Sequence, residues 1–426
     1  MKVVVQGLWH LGCVSAAGCA KAGHAVVGLT EDAAEAARLN AGQLPIHEPG
    51  LQELFAAGLA SGKLRFTADA SDALQGAELC WIAYDTPVDS EDRADVGFVL
   101  GRASATLKLM KAGQVLLVSS QLPVGSAAKL KASAPQGVGI TTSPENLRLG
   151  AALKVFLEPD RVVLGADDEA SRAVLKRLFE PISSKLEWMS AASAEMTKHA
   201  INAFLASSVV FINEIAGLCE THGADAAEVA RGLKSESRIG PKAYLGPGAA
   251  FAGGTLARDL QFLSGMAAEE GRPQNLFNAA LESNRRHTQW PMKALERALG
   301  GSMKGKRVAV LGLAYKPGTD TLRRSTAVEL MEALQGAGVE LRPVDPLVKA
   351  LDAPLAGLKV QSDAAAAMSG ADAVMLFHPW PGLDQLYAAL LGPKPAVIDP
   401  QGQFPGGPPQ GCPNYVRVGR VLEVSK

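Results

Sequence analysis

The chain opens Met1-Lys2-Val3-Val4-Val5-Gln6-Gly7-Leu8-Trp9-His10-Leu11-Gly12, and the reading of that stretch decides the fold. Three consecutive valines predict a short strand, Gly7 and Gly12 punctuate a turn, and the small apolar run Cys13 to Ala20 continues as a helix. A second strand follows at His24-Ala25-Val26-Val27-Gly28-Leu29, which completes a strand, turn, helix, strand unit. Such a glycine turn brings backbone against a dinucleotide pyrophosphate, yet its middle glycine is here Trp9.

Working outward, 426 residues exceed one ordinary core and predict two or three domains. The 42 basic and 43 acidic residues nearly cancel, so nothing advertises a nucleic-acid surface. Five cysteines, Cys13, Cys19, Cys80, Cys219 and Cys412, form no CxxC pair and predict reduced thiols in a cytoplasm. Met1-Lys2 and the apolar run to Ala16-Ala17-Gly18-Cys19 have the outline of a lipoprotein signal, but Gln6, Gly7, His10 and Gly12 interrupt the apolar core. No membrane span is expected either, because Phe204 to Leu218 is broken by Asn213 and Glu214.

Further strands are predicted at Leu79 to Ala83, Val115 to Val118 and Arg161 to Leu164, which together imply a parallel, doubly wound sheet. One long helix is expected from near Ala194 to His222, closed by Gly223. Residues 224 to about 298 continue helical around the glycine-rich loop Gly246 to Gly254. Strands at Lys306 to Ala314, Val339 to Asp345, Ala373 to Phe377 and Ala396 to Asp399 then predict a second, smaller Rossmann-like domain.

Several segments carry a family resemblance. Leu39-Asn40-Ala41-Gly42, Ile46-His47-Glu48-Pro49-Gly50-Leu51, Leu122-Pro123-Val124-Gly125, Ser143-Pro144-Glu145, Pro159-Asp160-Arg161-Val162-Val163, Phe211-Ile212-Asn213-Glu214-Ile215-Ala216, Ser237-Arg238-Ile239-Gly240-Pro241-Lys242 and Gly312-Leu313-Ala314-Tyr315-Lys316 stand in order along the chain. The chain resembles the UDP-glucose/GDP-mannose dehydrogenase family over nearly its whole length. The resemblance implies an NAD-binding-type domain over 1–190, a helical dimerisation domain over 191–300 and a sugar-nucleotide domain over 301–426. Together these give an α/β fold with two Rossmann-like doubly wound parallel sheets joined by a long central helix. It also implies NAD as cofactor, a UDP-sugar as ligand, and a homodimer or a heterodimer with an active paralogue.

Members of that family oxidise the sugar's primary alcohol twice, through a thioester on cysteine. By resemblance, Lys198 and Asn202 stabilise developing oxyanion charge and position water, Glu145 serves proton transfer, and Asp259 is the aspartate that follows the nucleophile. Lys198 and Asn202, four apart, share one helix face. Arg238, Lys242, Phe251, Gly253, Tyr315 and Lys316 match positions on the sugar-nucleotide side, Arg238 across the dimer interface; a guanidinium or ammonium suits a diphosphate. Gly7, Leu11, Gly12, Thr86 and Pro87 match the cofactor side.

The departures concentrate on cofactor and nucleophile. Thr255 stands where the family has its cysteine, and a threonine hydroxyl is far less acidic than a thiol. Trp9 fills the place where backbone approaches the pyrophosphate. Thr30 replaces the aspartate that accepts from the adenosine ribose, with Glu31 a displaced substitute, and Asp85 brings negative charge beside Thr86-Pro87. Ser119-Ser120-Gln121 replaces Lys-Ser-Thr, and Pro400-Gln401-Gly402 lacks an expected arginine. Two readings follow: a pseudoenzyme or repurposed member that binds a sugar nucleotide without the four-electron oxidation, or an active oxidoreductase with altered or two-electron chemistry.

Overall fold

The computed structural model describes residues 1–89, 94–144, 147–252, 254–272, 275–404, 411–412 and 414–420. The chain divides into two compact units, Met1–Ile201 and Asn202–Lys426, with the division inside the long helix Ala191–His222.

Unit 1 is built on eight strands: β1 (Lys2–Gln6), β2 (Ala25–Leu29), β3 (Leu64–Thr67), β4 (Leu79–Ile82), β5 (Val115–Val118), β6 (Gly139–Thr142), β7 (Val162–Ala166) and β8 (Leu186–Met189). Their order is β3-β2-β1-β4-β5-β6-β7-β8. The central strands read as unbroken apolar runs because helices cover both faces, and Val3, Val4 and Val5 are all buried. The helix His10–Lys21 is buried from His10 to Ala20, so the segment with a lipoprotein outline is core. Its small residues permit close packing: a Cβ on Gly18 would stand 2.2 Å from the Phe156 ring. Phe156 and Phe179 in turn flank Trp81, with centroids 6.3 and 5.5 Å away.

The expectation of an all-parallel sheet needs one correction. β7 runs antiparallel to β6, pairing Thr141 with Ala166 and Thr142 with Gly165, while β7 and β8 are parallel to each other. The chain therefore enters β7 from the end of the sheet at which it leaves β6, and the helix Ala152–Leu157 lies in the connection between them. β3, β6 and β8 also escape sequence reading, because none of them is the unbroken apolar run that marks the equally short β4 and β5.

Unit 2 carries β9 (Arg307–Leu311), β10 (Glu340–Val344), β11 (Ala373–Leu376), β12 (Ala396–Asp399) and β13 (Tyr415–Arg417), in the order β10-β9-β11-β12-β13 and all parallel. Before them come Ala226–Ser235, Thr255–Glu269, Asn275–His287 and Trp290–Ala298. The non-helical stretch before Thr255 begins at Glu236, ten residues earlier than the glycines suggest. The long helix ends as expected, with Gly223 at φ +75°.

Ala191–His222 is long and apolar enough to cross a membrane by length and composition alone, with a mean hydropathy of 1.6 over its most apolar window, a measure that a core helix also meets. Asn213 and Glu214, the residues expected to break it, are engaged by unit 2. Asn213 Oδ1 accepts the Gly248 N–H at 3.0 Å and Glu214 accepts the Ser283 hydroxyl at 2.6 Å.

Candidate functional site

The glycine turn of unit 1 keeps its two outer constraints. Gly7 has φ +86°, and a Cβ there would stand 2.4 Å from the Tyr84 nitrogen; a Cβ on Gly12 would stand 2.1 Å from the Gly7 carbonyl. Only glycine fits either place. The helix that follows has no side-chain cap and no acidic residue in its first turn, so its N-terminus suits an anion. Leu11 is buried against the core beneath it. These residues fit a dinucleotide diphosphate; Trp9 is the departure, its indole 50% exposed and set edge-on to His10.

His10 is tied down in turn. Its Nε2 meets Glu48 Oε2 at 3.0 Å, and Glu48, almost wholly buried, accepts the N–H groups of Gly150 and Ala152 at 2.9 and 2.8 Å. The turn is therefore pinned to the start of Ala152–Leu157.

At the end of β2 the Thr30 hydroxyl donates to Glu35 Oε2. Glu31, the displaced substitute expected from sequence, is paired instead with Arg102, whose guanidinium lies 5.2 Å over the Phe98 ring. Thr86 donates to the Gln121 carbonyl at 2.7 Å, and the exposed Pro87 accepts from Asp95 N–H at 2.8 Å, so both positions shape the loop after β4.

A cleft opens at the ends of β5 and β6, lined by Ser119, Ser120, Gln121, Thr142, Pro144, Glu195 and Lys198. Ser119 is structural, accepting from Trp81 Nε1 at 2.8 Å and donating to the Ser143 carbonyl at 2.6 Å. The buried Ser120 hydroxyl has no hydrogen-bond partner among the described residues. Glu195 accepts the Gly125 and Ala127 N–H groups at 2.7 and 2.8 Å, and burial holds its carboxyl above the usual range. Sequence reading passed over Glu195; its place three residues before Lys198 was the available signal. Glu145 lies outside the described residues, as does Gly253.

In unit 2 the structure joins Asn202 to Asp259, the amide Nδ2 donating to Oδ2, with Asp259 0% exposed. Thr255 begins the helix that carries Asp259, exposed, behind a Gly254 at φ +97°. Burial pushes the thiols of Cys13, Cys19 and Cys80 to about 12, Cys219 is buried in the second unit, and Cys412 packs against the cluster around Tyr387. Phe251 is fixed through its backbone, donating to Asn284 Oδ1 at 3.0 Å and accepting from Asn284 Nδ2 at 2.8 Å. Arg238 and Lys242 are exposed, and Arg238 Nε meets Glu236 Oε1 at 3.0 Å. Lys316 Nζ lies 5.5 Å over the Tyr315 ring.

Beside Tyr315-Lys316, a crevice of about 350 Å³ opens at the carboxyl ends of β9, β10 and β11, lined by Gly312, Thr319, Asp345, His378 and Trp380 among others. β9 and β11 diverge in connectivity there, the switch point where open α/β sheets take ligands. Asp345 accepts four backbone N–H groups, from Leu313, Ala314, Leu347 and Val348, and so braces the loops around it. Burial lowers the His378 pKa. His378 and Trp380 carry no sequence motif, and only the strand order brings them to the site. Among the described residues no cluster of metal-binding side chains occurs.

The comparisons agree with this architecture. The UDP-glucose/GDP-mannose dehydrogenase family matches in three parts: its NAD binding domain over residues 1–183, its central domain over 192–286 and its UDP binding domain over 309–404. A UDP-glucose 6-dehydrogenase of Rhizobium meliloti (strain 1021) is 34% identical over 392 residues, covering 89% of this chain and 90% of that protein. The UDP-glucose 6-dehydrogenase TuaD of Bacillus subtilis (strain 168) is 32% identical over 415 residues, covering 95% and 89%. The solved UDP-glucose dehydrogenase of Pyrobaculum islandicum superposes with a TM-score of 0.87 at 29% identity, covering 99% and 98%. With a matching domain for each part of the fold, the chain belongs to the UDP-glucose/GDP-mannose dehydrogenase family.

Proposed function

We propose that the chain binds a UDP-sugar but does not carry out the NAD-dependent four-electron oxidation to a uronic acid, and so serves as a pseudoenzyme or repurposed member. The observation that carries this reading is Thr255. Its hydroxyl stands at the start of Thr255–Glu269, four residues before the buried Asp259, where the family resemblance places a cysteine. A thiolate forms near neutral pH, adds to an aldehyde and later leaves from an acyl carbon; a threonine hydroxyl stays protonated at that pH, and its alkoxide is a poor leaving group from an acyl carbon. The oxyanion and water-positioning groups, Lys198 and Asn202, remain in sequence, and Glu145 with them.

The UDP half is assigned to the 301–426 region, at the switch-point crevice, with Lys316 and Tyr315 at its edge. The 1–190 region is assigned to the cofactor and the 191–300 region to assembly, in a cytoplasmic protein. Assembly as a dimer is supported by the long helix, which exposes Phe204, Phe211 and Leu218 by 70, 48 and 58%. Seven-residue spacing puts them in one stripe, the pattern of a helix that packs on another. A second copy of this chain, or an active paralogue, would cover it, and the exposed Arg238 would then reach the partner's sugar nucleotide.

A second reading is favoured by the retained glycine turn: the cofactor still binds and oxidation stops at the aldehyde. When bound, NAD supplies a hydride acceptor. The test for both is to incubate the protein with UDP-glucose and NAD and resolve products by mass spectrometry. The first reading expects no change and the second an aldehyde with one NADH per sugar; UDP-glucuronate with two NADH per sugar overturns both.

A further inference from the structure

We propose that Glu35 supplies the carboxylate that reads the vicinal diol of the adenosine ribose, in place of the acid that the strand end at Thr30 lacks. The proposal rests on the reading in which unit 1 still takes the dinucleotide.

Three acids follow β2 within six residues: Glu31, Asp32 and Glu35. Glu31 is turned to Arg102. Asp32 caps its own helix, accepting the Ala34 N–H at 2.8 Å, and its other oxygen faces Arg38 at 3.8 Å. Glu35 alone is brought to the strand end. The Thr30 hydroxyl, nearly buried, donates to Glu35 Oε2 and accepts the Asp32 N–H at 3.3 Å, so its one proton is committed to holding that carboxylate. A carboxylate has two oxygens with about four acceptor positions, and one hydroxyl occupies one of them. What Thr30 cannot offer a diol, an anionic bidentate acceptor, it therefore presents at second hand.

The Thr30 contact holds the carboxylate at the end of β2, the strand end from which this kind of fold reads a ribose. Its charge accepts from two free hydroxyls and repels a 2′-phosphate, so the ligand class is a nucleotide with an unmodified 2′,3′-diol.

The experiment is calorimetric titration of NAD, ADP-ribose and NADP into the full chain, into Glu35→Gln and into Thr30→Asp with Glu35→Gln. Thermal melts check that each variant folds. The expected result is binding of NAD and ADP-ribose by the native chain, weakening of about tenfold or more in Glu35→Gln, a smaller preference for NAD over NADP, and recovery in the double variant. Native binding that Glu35→Gln leaves unchanged overturns the role of Glu35 while the cofactor reading stands. Tighter binding in Glu35→Gln also overturns it, making Glu35 an internal anion in the cofactor's place. No binding by any of the three proteins removes both the proposal and the reading beneath it.

Discussion

Asn202 donates its side-chain N–H to the Asp259 carboxylate across 57 residues of sequence, and Asp259 is fully buried where they meet. The pair fixes the first turns of Thr255–Glu269 against the long helix, and with them the position of Thr255. Asp259→Ala strands a buried amide and is expected to cost about 1–3 kcal/mol, read as a lower urea midpoint at unchanged slope. A midpoint equal to the native one would show that the contact contributes nothing to the fold.

Thr255→Cys places a thiol at an uncapped helix N-terminus, where the helix dipole favours the thiolate. The buried thiols of Cys13, Cys19 and Cys80, held at about 12, are poor competitors. Iodoacetamide at pH 7.5 is expected to label the variant faster than the native chain, with peptide mapping placing the label on residue 255. Equal labelling rates would mean that the exposed helix start does not activate a thiol.

The glycine turn gives a contrast in sign. Gly12→Ala drives a Cβ to 2.1 Å from a backbone carbonyl, and such overpacking costs about 1–3 kcal/mol. Gly101→Ala, inside Val96–Leu107 with nothing within 4 Å of its Cβ, is expected to stabilise by about 0.5–1 kcal/mol. Melting temperatures should move in opposite directions, and a shared direction would refute the steric account.

Burial lowers the pKa of His24, whose N–H meets the Leu178 carbonyl at 3.0 Å, and burial lowers that of His287 as well. The unfolded chain therefore takes up these protons first as pH falls. Their contribution to stability is whole above the ordinary histidine pKa near 6.5 and is lost progressively below it. Glu195, held high by burial, works in the opposite sense, gaining stability as pH falls through its raised value. His24→Gln keeps a donor for Leu178 and removes one titration, so its melting temperature should fall less than the native one between pH 7.5 and 5.5. Parallel curves would remove His24 from the account.

For assembly, Phe211→Glu sets a charge in the middle of the exposed stripe of the long helix. Sedimentation should give twice the chain mass for the native protein and the chain mass for the variant. A native protein already at the chain mass would end the dimer reading.

The sequence by itself determined the strand, turn and helix units, the long helix to Gly223 and the family, because each rests on local pattern: apolar runs, glycines at fixed offsets and collinear motifs. It also marked Thr255, Trp9 and Thr30 as departures, since a missing residue type shows at one position. It did not show what answers those departures. Glu35 comes to Thr30 through a helical turn, Glu31 goes to Arg102 far along the chain, and Asp259 finds Asn202 across two helices. The reversal of β7 likewise shows only in the pairing of Thr141 with Ala166 and Thr142 with Gly165. Such pairings depend on which side chains share space after packing, and spacing along the chain carries no record of them.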